Sequence, residues 1–205
     1  MSDQVTPPFG KFPTVRPALD VRSELAPPVA EALGGWDAPE AAGAVLYVDT
    51  DPEKADTAVF CETYDAPLEY SANCVVVAAK RGGEVTMAAC VVLATTRLDV
   101  NQAVRKHLGA RKASFAPMDA AVEATGMEYG GITPVGLPDG WPLLVDEAVA
   151  AAPHVLVGSG RRRGKLILPG AALAALPGAE VVPGLALAVG PAAVEPAAGP
   201  TAVES

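Results

Sequence analysis

The stretch NCVVVAAKRGGEVTMAACVVLA, residues 73–94, constrains the fold more than any other part of the chain. Two runs rich in valine and alanine flank the pair Gly82-Gly83. Valine is typical of strands, and adjacent glycines supply the positive φ angles that a tight hairpin turn requires. The stretch therefore predicts two antiparallel strands joined by a short turn.

Short strands and short helices alternate along the rest of the chain. Helices are predicted at about 28–35, 51–65, 99–109 and 118–126, from a capping residue with helical spacing of apolar residues, from a glycine that ends the segment, or from both. In the second of these, Asp51 would cap the helix and Pro52 would take its first position. Strands outnumber helices, and hairpins occur beside longer crossovers. We therefore predict an α+β fold with a mixed sheet in one domain over residues 23–187.

The two ends of the chain have a different composition from the domain between them. Residues 1–22 are proline-rich at their start and predict an extended N-terminal arm, while residues 188–205 predict a disordered tail rich in alanine and proline. No uninterrupted run of about 20 apolar residues is present, so no membrane partner is expected. Three cysteines without metal-ligand spacing predict reduced thiols and a cytoplasmic location.

The charge of the chain is strongly negative but unevenly distributed. A net charge of −9 argues against a protein that coats nucleic acid, and DNA is not expected as a partner. The basic residues nevertheless fall into two groups, at 105–112 and 161–165. Each group is either a solvated surface or a local basic face on an acidic protein.

Motifs for metal, nucleotide or triad chemistry are missing, so no metal and no cofactor are expected. His107 and His154 have the pattern of surface residues. Two glycine-rich loops remain, GGITP at 130–134 and GSGRR at 158–162. Glycine allows peptide N–H groups to approach a ligand closely, which suits recognition of a carbonyl or phosphate oxygen. The alternative is that both are ordinary turns.

In this order and spacing, the segments YDAPLEYSANCVVVA, GGITP and GSGRR resemble the YbaK/ProX family of trans-editing aminoacyl-tRNA deacylases, which includes the insertion domain of bacterial prolyl-tRNA synthetases. The resemblance covers about residues 52–187. It implies a mixed, strongly curved central sheet surrounded by helices. It also implies hydrolysis of the ester of a mischarged tRNA carrying a small amino acid, without a protein nucleophile. The implied partners are the 3′ acceptor end of aminoacyl-tRNA and an aminoacyl-tRNA synthetase.

The resemblance also implies the residues of the site. The catalytic positions correspond to Gly130, Gly131 and Asn73. The substrate-binding positions correspond to a larger set: Ile132, Thr133, Pro134, Ser159, Gly160, Arg161 and Cys74. Asn73 is a departure, because the family carries a lysine there. An asparagine amide can still bond an oxygen but supplies no positive charge.

The departure leaves three outcomes open: altered substrate choice, weak activity, or a module that only binds. Arg161 is a candidate to compensate for the missing lysine by contacting a phosphate. Cys74 is either a nucleophile or a small packing residue at a strand start, and the second is the commoner role. The sequence therefore favours a deacylase. A non-catalytic module that binds aminoacyl-tRNA or a synthetase, and an interaction domain without a tRNA role, are the alternatives.

Overall fold

The computed structural model describes residues 5–189. Eleven strands lie within this range. They are β1 (Val15–Pro17), β2 (Leu46–Val48), β3 (Ala72–Arg81), β4 (Glu84–Leu93), β5 (Thr96–Leu98), β6 (Lys112–Phe115), β7 (Leu143–Asp146), β8 (Val155–Gly158), β9 (Lys165–Leu168), β10 (Ala179–Val182) and β11 (Ala186–Ala188).

Seven α-helices accompany the strands in the described range. They are α1 (Pro27–Gly34), α2 (Pro39–Gly43), α3 (Thr57–Tyr64), α4 (Arg105–His107), α5 (Met118–Thr125), α6 (Glu147–Ala151) and α7 (Gly170–Ala174). A π-helical turn at Val100–Val104 leads into α4. No helix of the described residues is long and apolar enough to cross a membrane.

The predicted hairpin is confirmed. Strands β3 and β4 pair over their whole length, from Ala72 opposite Leu93 to Arg81 opposite Glu84. Gly82 and Gly83 form the turn with φ angles of +60° and +94°. This hairpin is the centre of a five-stranded sheet, because β6 pairs with β3 on one side and β7 with β4 on the other.

The sheet is mixed, as predicted. Strands β6, β3 and β4 are antiparallel, whereas β4, β7 and β10 are parallel. The expectation of one central sheet is too simple, since β1, β2, β9 and β8 form a separate antiparallel sheet and β5 pairs with β11. A bridge between Ser71 and Leu156 joins the start of β3 to β8. The α+β class is confirmed, with two main sheets that meet at the beginning of β3.

The long helix predicted over 51–65 is divided. Asp51 accepts a hydrogen bond from Glu53 N and caps only a 3-10 turn, Pro52–Lys54. Asp56 then caps α3 by accepting from Ala58 N at 3.1 Å. Two capping carboxylates five residues apart satisfy two separate sets of free N–H groups, which explains the break. The division places Thr57 at the start of α3, where it faces the site described below.

The boundary predicted at residue 22 is wrong for the described part of the arm. Strand β1 pairs with β2, so it belongs to the four-stranded sheet. Ala18 and Val21 are buried in the main apolar core. The proline-rich composition did not indicate that this segment forms a strand and packs into the core, although short edge strands tolerate proline. The tail predicted at 188–205 lies almost wholly outside the described residues.

Candidate functional site

The GGITP loop lies against the connection between β8 and β9. Gly160 N donates to Gly131 O, and Glu128 N donates to Gly160 O, each at 2.8 Å. Gly131 N closes the loop on itself by donating to Glu128 O at 2.9 Å. Met127 and Val135, on either side of the loop, are buried in the main core. The two glycine-rich loops are therefore one hydrogen-bonded unit fixed at both ends, as their pairing in the sequence indicated.

Two glycines are required where the loops touch. A Cβ atom at Gly131 would overlap the carbonyl group of Arg161, and one at Gly158 would overlap Gly131 O. Both obstacles are backbone atoms, which cannot move aside as a flexible side chain can. The loops therefore approach more closely than any other residue at these two positions would permit.

The five residues of the GGITP loop differ in exposure. Gly130 is exposed with φ +79°, and Ile132 is half-buried against the main core. Gly131, Thr133 and Pro134 are buried. The Thr133 hydroxyl has no hydrogen-bond partner among the described residues. The part of the loop that a substrate can reach is thus mainly the backbone around Gly130.

Ser159 shapes the second loop. Its side chain is fully buried, and its hydroxyl lies 3.0–3.2 Å from the carbonyl oxygens of Arg161, Arg163 and Gly164. Gly160 follows with φ +81° and is bonded to the GGITP loop. The hydroxyl of Ser159 is committed to the turn, which favours a structural role over the predicted contact with substrate.

A small pocket opens where α3, the start of β3, β8 and β9 meet. Its volume is about 30 Å³. Thr57, Ser71, Asn73 and Lys165 contribute its polar side chains. The remaining lining is mainly apolar or backbone: Ala55, Phe60, Ala72, Leu156, Val157 and Gly158. A cavity of this size holds about one or two water molecules.

Asn73 lines this pocket. The Thr57 hydroxyl lies 3.5 Å from Asn73 Oδ1. Next to it, the Cys61 thiol lies 3.3 Å from the Ser71 hydroxyl. Short polar groups therefore cover the wall formed by α3 and the start of β3. They offer hydrogen bonds but no charge.

Lys165 supplies the charge in this pocket, and sequence reasoning missed its role. It occupies the first position of β9, is only 9% exposed, and extends past the Phe60 ring at 5.8 Å from the ring centroid. Its Nζ lies 3.4 Å from Gly130 O, which makes it the side-chain link between the pocket and the GGITP loop. The motif RRRGKLIL gave no clear signal, because a lysine at a strand start is normally exposed.

The pKa of Lys165 is lowered to about 8, mainly because the side chain is buried and also because the Arg162 cation is near, while the Cys61 thiol and Asp56 act in the opposite direction. A desolvated ammonium is less stable than a hydrated one, so the neutral amine becomes accessible close to neutral pH. A buried lysine with a displaced pKa beside a backbone-lined loop is typical of a functional site.

Cys74 does not line the pocket. Successive side chains of a strand point to opposite faces, and Cys74 packs against the main core while Asn73 lines the pocket. Burial raises the pKa of the Cys74 thiol and also those of Cys61 and Cys90. All three thiols are protonated at neutral pH, so none is poised as a nucleophile. The packing role weighed for Cys74 is the one that the structure favours.

The three consecutive arginines have separate environments. Arg161 borders a shallow depression of about 470 Å³ together with Glu24, Tyr47 and Glu128, away from the small pocket. Arg162 lies beside the GGITP loop: its backbone N donates to Glu128 Oε2 at 2.7 Å and its Nε donates to Pro52 O at 2.9 Å. Arg163 forms a bidentate pair with Asp49. The Arg162 guanidinium lies beside Gly130, whereas the side chain of Arg161, the candidate replacement cation, borders the other depression.

The folded unit has two sheets that meet beside a small pocket, and the Lys165 side chain reaches from that pocket to the GGITP loop. The chain belongs to the aminoacyl-tRNA editing domain family, whose model matches residues 51–176. No curated protein matches the chain.

Solved structures agree on the fold. A protein proposed to be a trans-editing enzyme for prolyl-tRNA synthetase matches with a TM-score of 0.63 and 22% identity, over 78% of this chain and 97% of that chain. A protein described only as hypothetical matches with a TM-score of 0.65 and 20% identity, over 76% and 99%. A structure from work on grafting epitopes onto scaffold proteins matches with a TM-score of 0.64 and 23% identity, over 77% and 95%.

Proposed function

We propose that this chain hydrolyses the ester bond of mischarged tRNA that carries a small amino acid. The observation that carries the proposal is the pocket of about 30 Å³ beside the GGITP loop, which combines Asn73 and Lys165 with an apolar wall. Its volume suits a methyl or hydroxymethyl group and excludes a large side chain. Synthetases discriminate poorly among small similar side chains, which is the circumstance in which a separate editing activity is useful.

Water is the nucleophile in this proposal. The thiols of Cys61, Cys74 and Cys90 all have raised pKa values, so no described cysteine offers a thiolate near neutral pH. A water oxygen attacks the ester carbonyl carbon, the bond to the ribose oxygen breaks, and the products are the free amino acid and the tRNA hydroxyl. The rigid loop would contribute by holding the ester in position, and such positioning accounts for large rate factors in enzymes.

A basic surface for the tRNA lies at the tip of the β3–β4 hairpin. Lys80 lies directly opposite Lys112 on β6, and Arg111 N donates to Lys80 O at 2.9 Å. The whole surface, which we call the tip surface, consists of Lys80, Arg81, Arg111 and Lys112. Within residues 5–189, none of these four has a carboxylate oxygen within 4.0 Å. Unpaired cations on an acidic protein suit RNA phosphates.

The tip surface lies at a distance from the pocket along the same strand. Asn73 and Lys80 are seven residues apart on β3, which corresponds to about 23 Å, and the odd separation points their side chains to opposite faces of the sheet. An RNA whose 3′ end enters the pocket would therefore have to pass the end of the hairpin or the β6 edge for its phosphates to contact the tip. Like charges directly opposite each other destabilise a sheet, so the Lys80–Lys112 pair is better explained by a ligand than by stability.

Neutralising this pair should weaken tRNA binding without harming the fold. We expect the double variant Lys80→Gln/Lys112→Gln to bind uncharged tRNA about 10-fold more weakly, with the slope of log affinity against log salt reduced by about 2. Fluorescence titration at several salt concentrations measures both. Lys11→Gln removes an exposed lysine that pairs with Asp65, and should leave affinity and slope near wild type. An unchanged slope in the double variant would show that the tip surface does not contact the tRNA phosphates.

A panel of mischarged tRNAs tests the proposed function. Purified protein should accelerate release of alanine, serine or a similarly small amino acid at least about 100-fold over buffer, and should leave phenylalanyl and leucyl esters untouched. The physical reason is the small pocket volume. Release at the buffer rate for every ester in the panel would refute the proposal.

The competing function is a module that binds aminoacyl-tRNA, or a synthetase, without turnover. Asn73 favours it, because resembling proteins carry a lysine at this position of β3 and the amide of Asn73 has no charge. Lys165 weighs against it, because a cation is still present in the same pocket. Saturable binding together with a complete absence of hydrolysis would favour the module.

A further inference from the structure

The ammonium of Lys165 is buried without an anionic partner. Its side chain lies between the four-stranded sheet and α3, and its one hydrogen bond is the long contact of 3.4 Å to Gly130 O. No carboxylate oxygen of residues 5–189 lies within 4.0 Å of its Nζ. An ammonium has three N–H donors, so most of its hydrogen-bonding capacity is directed into the pocket.

Such an arrangement costs stability. Burying a cation without a partner is unfavourable, and an apolar residue of similar length would fill the same space without that cost. The charged and titratable groups around Lys165 do not remove the cost. Arg162 repels it, while Asp56 at the start of α3 and the protonated Cys61 thiol interact only at longer range. The missing partner is therefore expected to come from outside the chain.

Lys165 and Asn73 reach the same pocket from different strands. Asn73 comes from the start of β3, and Lys165 comes from the start of β9 beside Gly158. The cation that is missing from the β3 wall is thus present on the β9 wall. Its Nζ is bonded to the loop that positions the acyl group in the proposed function, which puts it close to where a substrate carbonyl would lie.

We propose that Lys165 is a catalytic residue whose ammonium donates a hydrogen bond to the carbonyl oxygen of the scissile ester. This assignment rests on the proposed deacylase function. When water attacks the carbonyl carbon, the electron pair of the C=O bond moves onto that oxygen, and Lys165 stabilises the resulting negative charge. When the tetrahedral species collapses, the bond to the ribose oxygen breaks and a proton that came from the water ends on that oxygen. Lys165 keeps its own proton throughout.

The test is single-turnover hydrolysis of the best ester from the panel by wild type and by Lys165→Met, which removes the charged terminal atom and keeps the rest of the side-chain length. We expect the variant to be at least about 100-fold slower, because loss of one oxyanion donor has an effect of that order. Lys11→Met replaces an exposed lysine that does not line the pocket and should retain the wild-type rate. A folded Lys165→Met variant with the wild-type rate would overturn the assignment.

The pH profile separates the two chemical roles that a lysine can have. After subtraction of the buffer rate, an essential ammonium requires the enzymatic rate to fall as pH rises through about 8. A rate that rises in the same window and loses this rise in Lys165→Met would identify a neutral amine acting as general base. That result would overturn the assignment while leaving the deacylase function intact.

A binding measurement keeps the assignment testable if no ester in the panel is hydrolysed, which would refute the deacylase function itself. The probe is a 3′-aminoacylamino-adenosine, in which a stable amide carbonyl replaces the ester carbonyl. Wild type should bind it at least about 10-fold more tightly than Lys165→Met, whereas Lys11→Met should match wild type. Equal affinities in all three proteins would overturn the contact between Lys165 and the carbonyl oxygen.

Discussion

Replacing Gly131 with alanine should slow deacylation at least about 100-fold in a protein that still folds. The added Cβ would overlap the carbonyl group of Arg161, so the GGITP loop must move away from the second loop. The hydrogen bond from Gly160 N to Gly131 O would lengthen with it. A displacement of about 1 Å of a positioning group lowers rates by about 100-fold. The measurement is the initial rate of ester hydrolysis, at a temperature where circular dichroism shows both proteins folded.

A matched glycine variant shows whether the loss of deacylation rate is specific to the GGITP loop. Gly43, the last residue of α2, has no atom within 4 Å of a Cβ built on it, so Gly43→Ala should have the wild-type rate. Gly131→Ala is also expected to lose about 1–3 kcal/mol of stability, since overpacking a rigid contact has a cost of that size. A folded Gly131→Ala protein that hydrolyses the ester at the wild-type rate would show that the loop does not position the substrate.

The second large effect concerns stability against pH. The pKa of Lys165 is lowered from its ordinary 10.5 to about 8 in the folded protein. Between these values the unfolded chain holds a proton that the folded chain has released, so the free energy of unfolding rises with pH. With about 1.4 kcal/mol for each pKa unit, the contribution of Lys165 rises by about 3 kcal/mol between pH 8 and pH 10.5. Below pH 8 it is constant and unfavourable to the fold.

The variant Lys165→Met isolates this contribution. Other groups act in the opposite direction at high pH, because the thiol of Cys90 and the hydroxyl of Tyr47 have pKa values raised to about 12 and stay protonated longer in the folded state. These groups are common to both proteins, so the difference between wild type and variant cancels them. Urea titrations should find the variant more stable at pH 7, with the difference shrinking towards pH 10.5. A constant difference across this range would mean that Lys165 is not buried as a cation.

The sequence was sufficient where local chemistry decides the structure. The hairpin at 73–94 was predictable because valine-rich runs and a Gly-Gly turn agree with each other, and every residue from Ala72 to Arg81 pairs as expected. The closeness of the two glycine loops followed from their motifs, and the need for glycine at 131 is visible in the backbone contact with Arg161.

The sequence was insufficient where a role depends on distant elements. Lys165 stands in a run of bases at 161–165 that looked like one surface, yet it is buried, Arg163 pairs with Asp49, and Arg162 bonds Pro52. The partners come from residues more than 100 positions away, so no local pattern could reveal them. For the same reason the sequence indicates Arg161, and not Lys165, as the candidate replacement cation.

The start of the folded domain could also not be predicted from local sequence. Composition placed a boundary at residue 22, but β1 supplies an edge strand and Val21 packs into the main core. Only the pairing of β1 with β2 makes this clear, since three residues are too few to carry an alternating pattern. The site therefore stands on a scaffold that includes residues outside the range 51–176 matched by the family model.

We propose above all that the protein catalyses ester hydrolysis with multiple turnovers at the pocket beside the GGITP loop. The most direct measurement is the amount of amino acid released when a mischarged tRNA carrying a small amino acid is present in about 10-fold excess over the protein. A catalyst releases nearly all of it, at many equivalents per protein molecule, and this is the result we predict. Saturable binding of the tRNA with release no faster than in buffer would contradict the claim and identify the chain as a binding module.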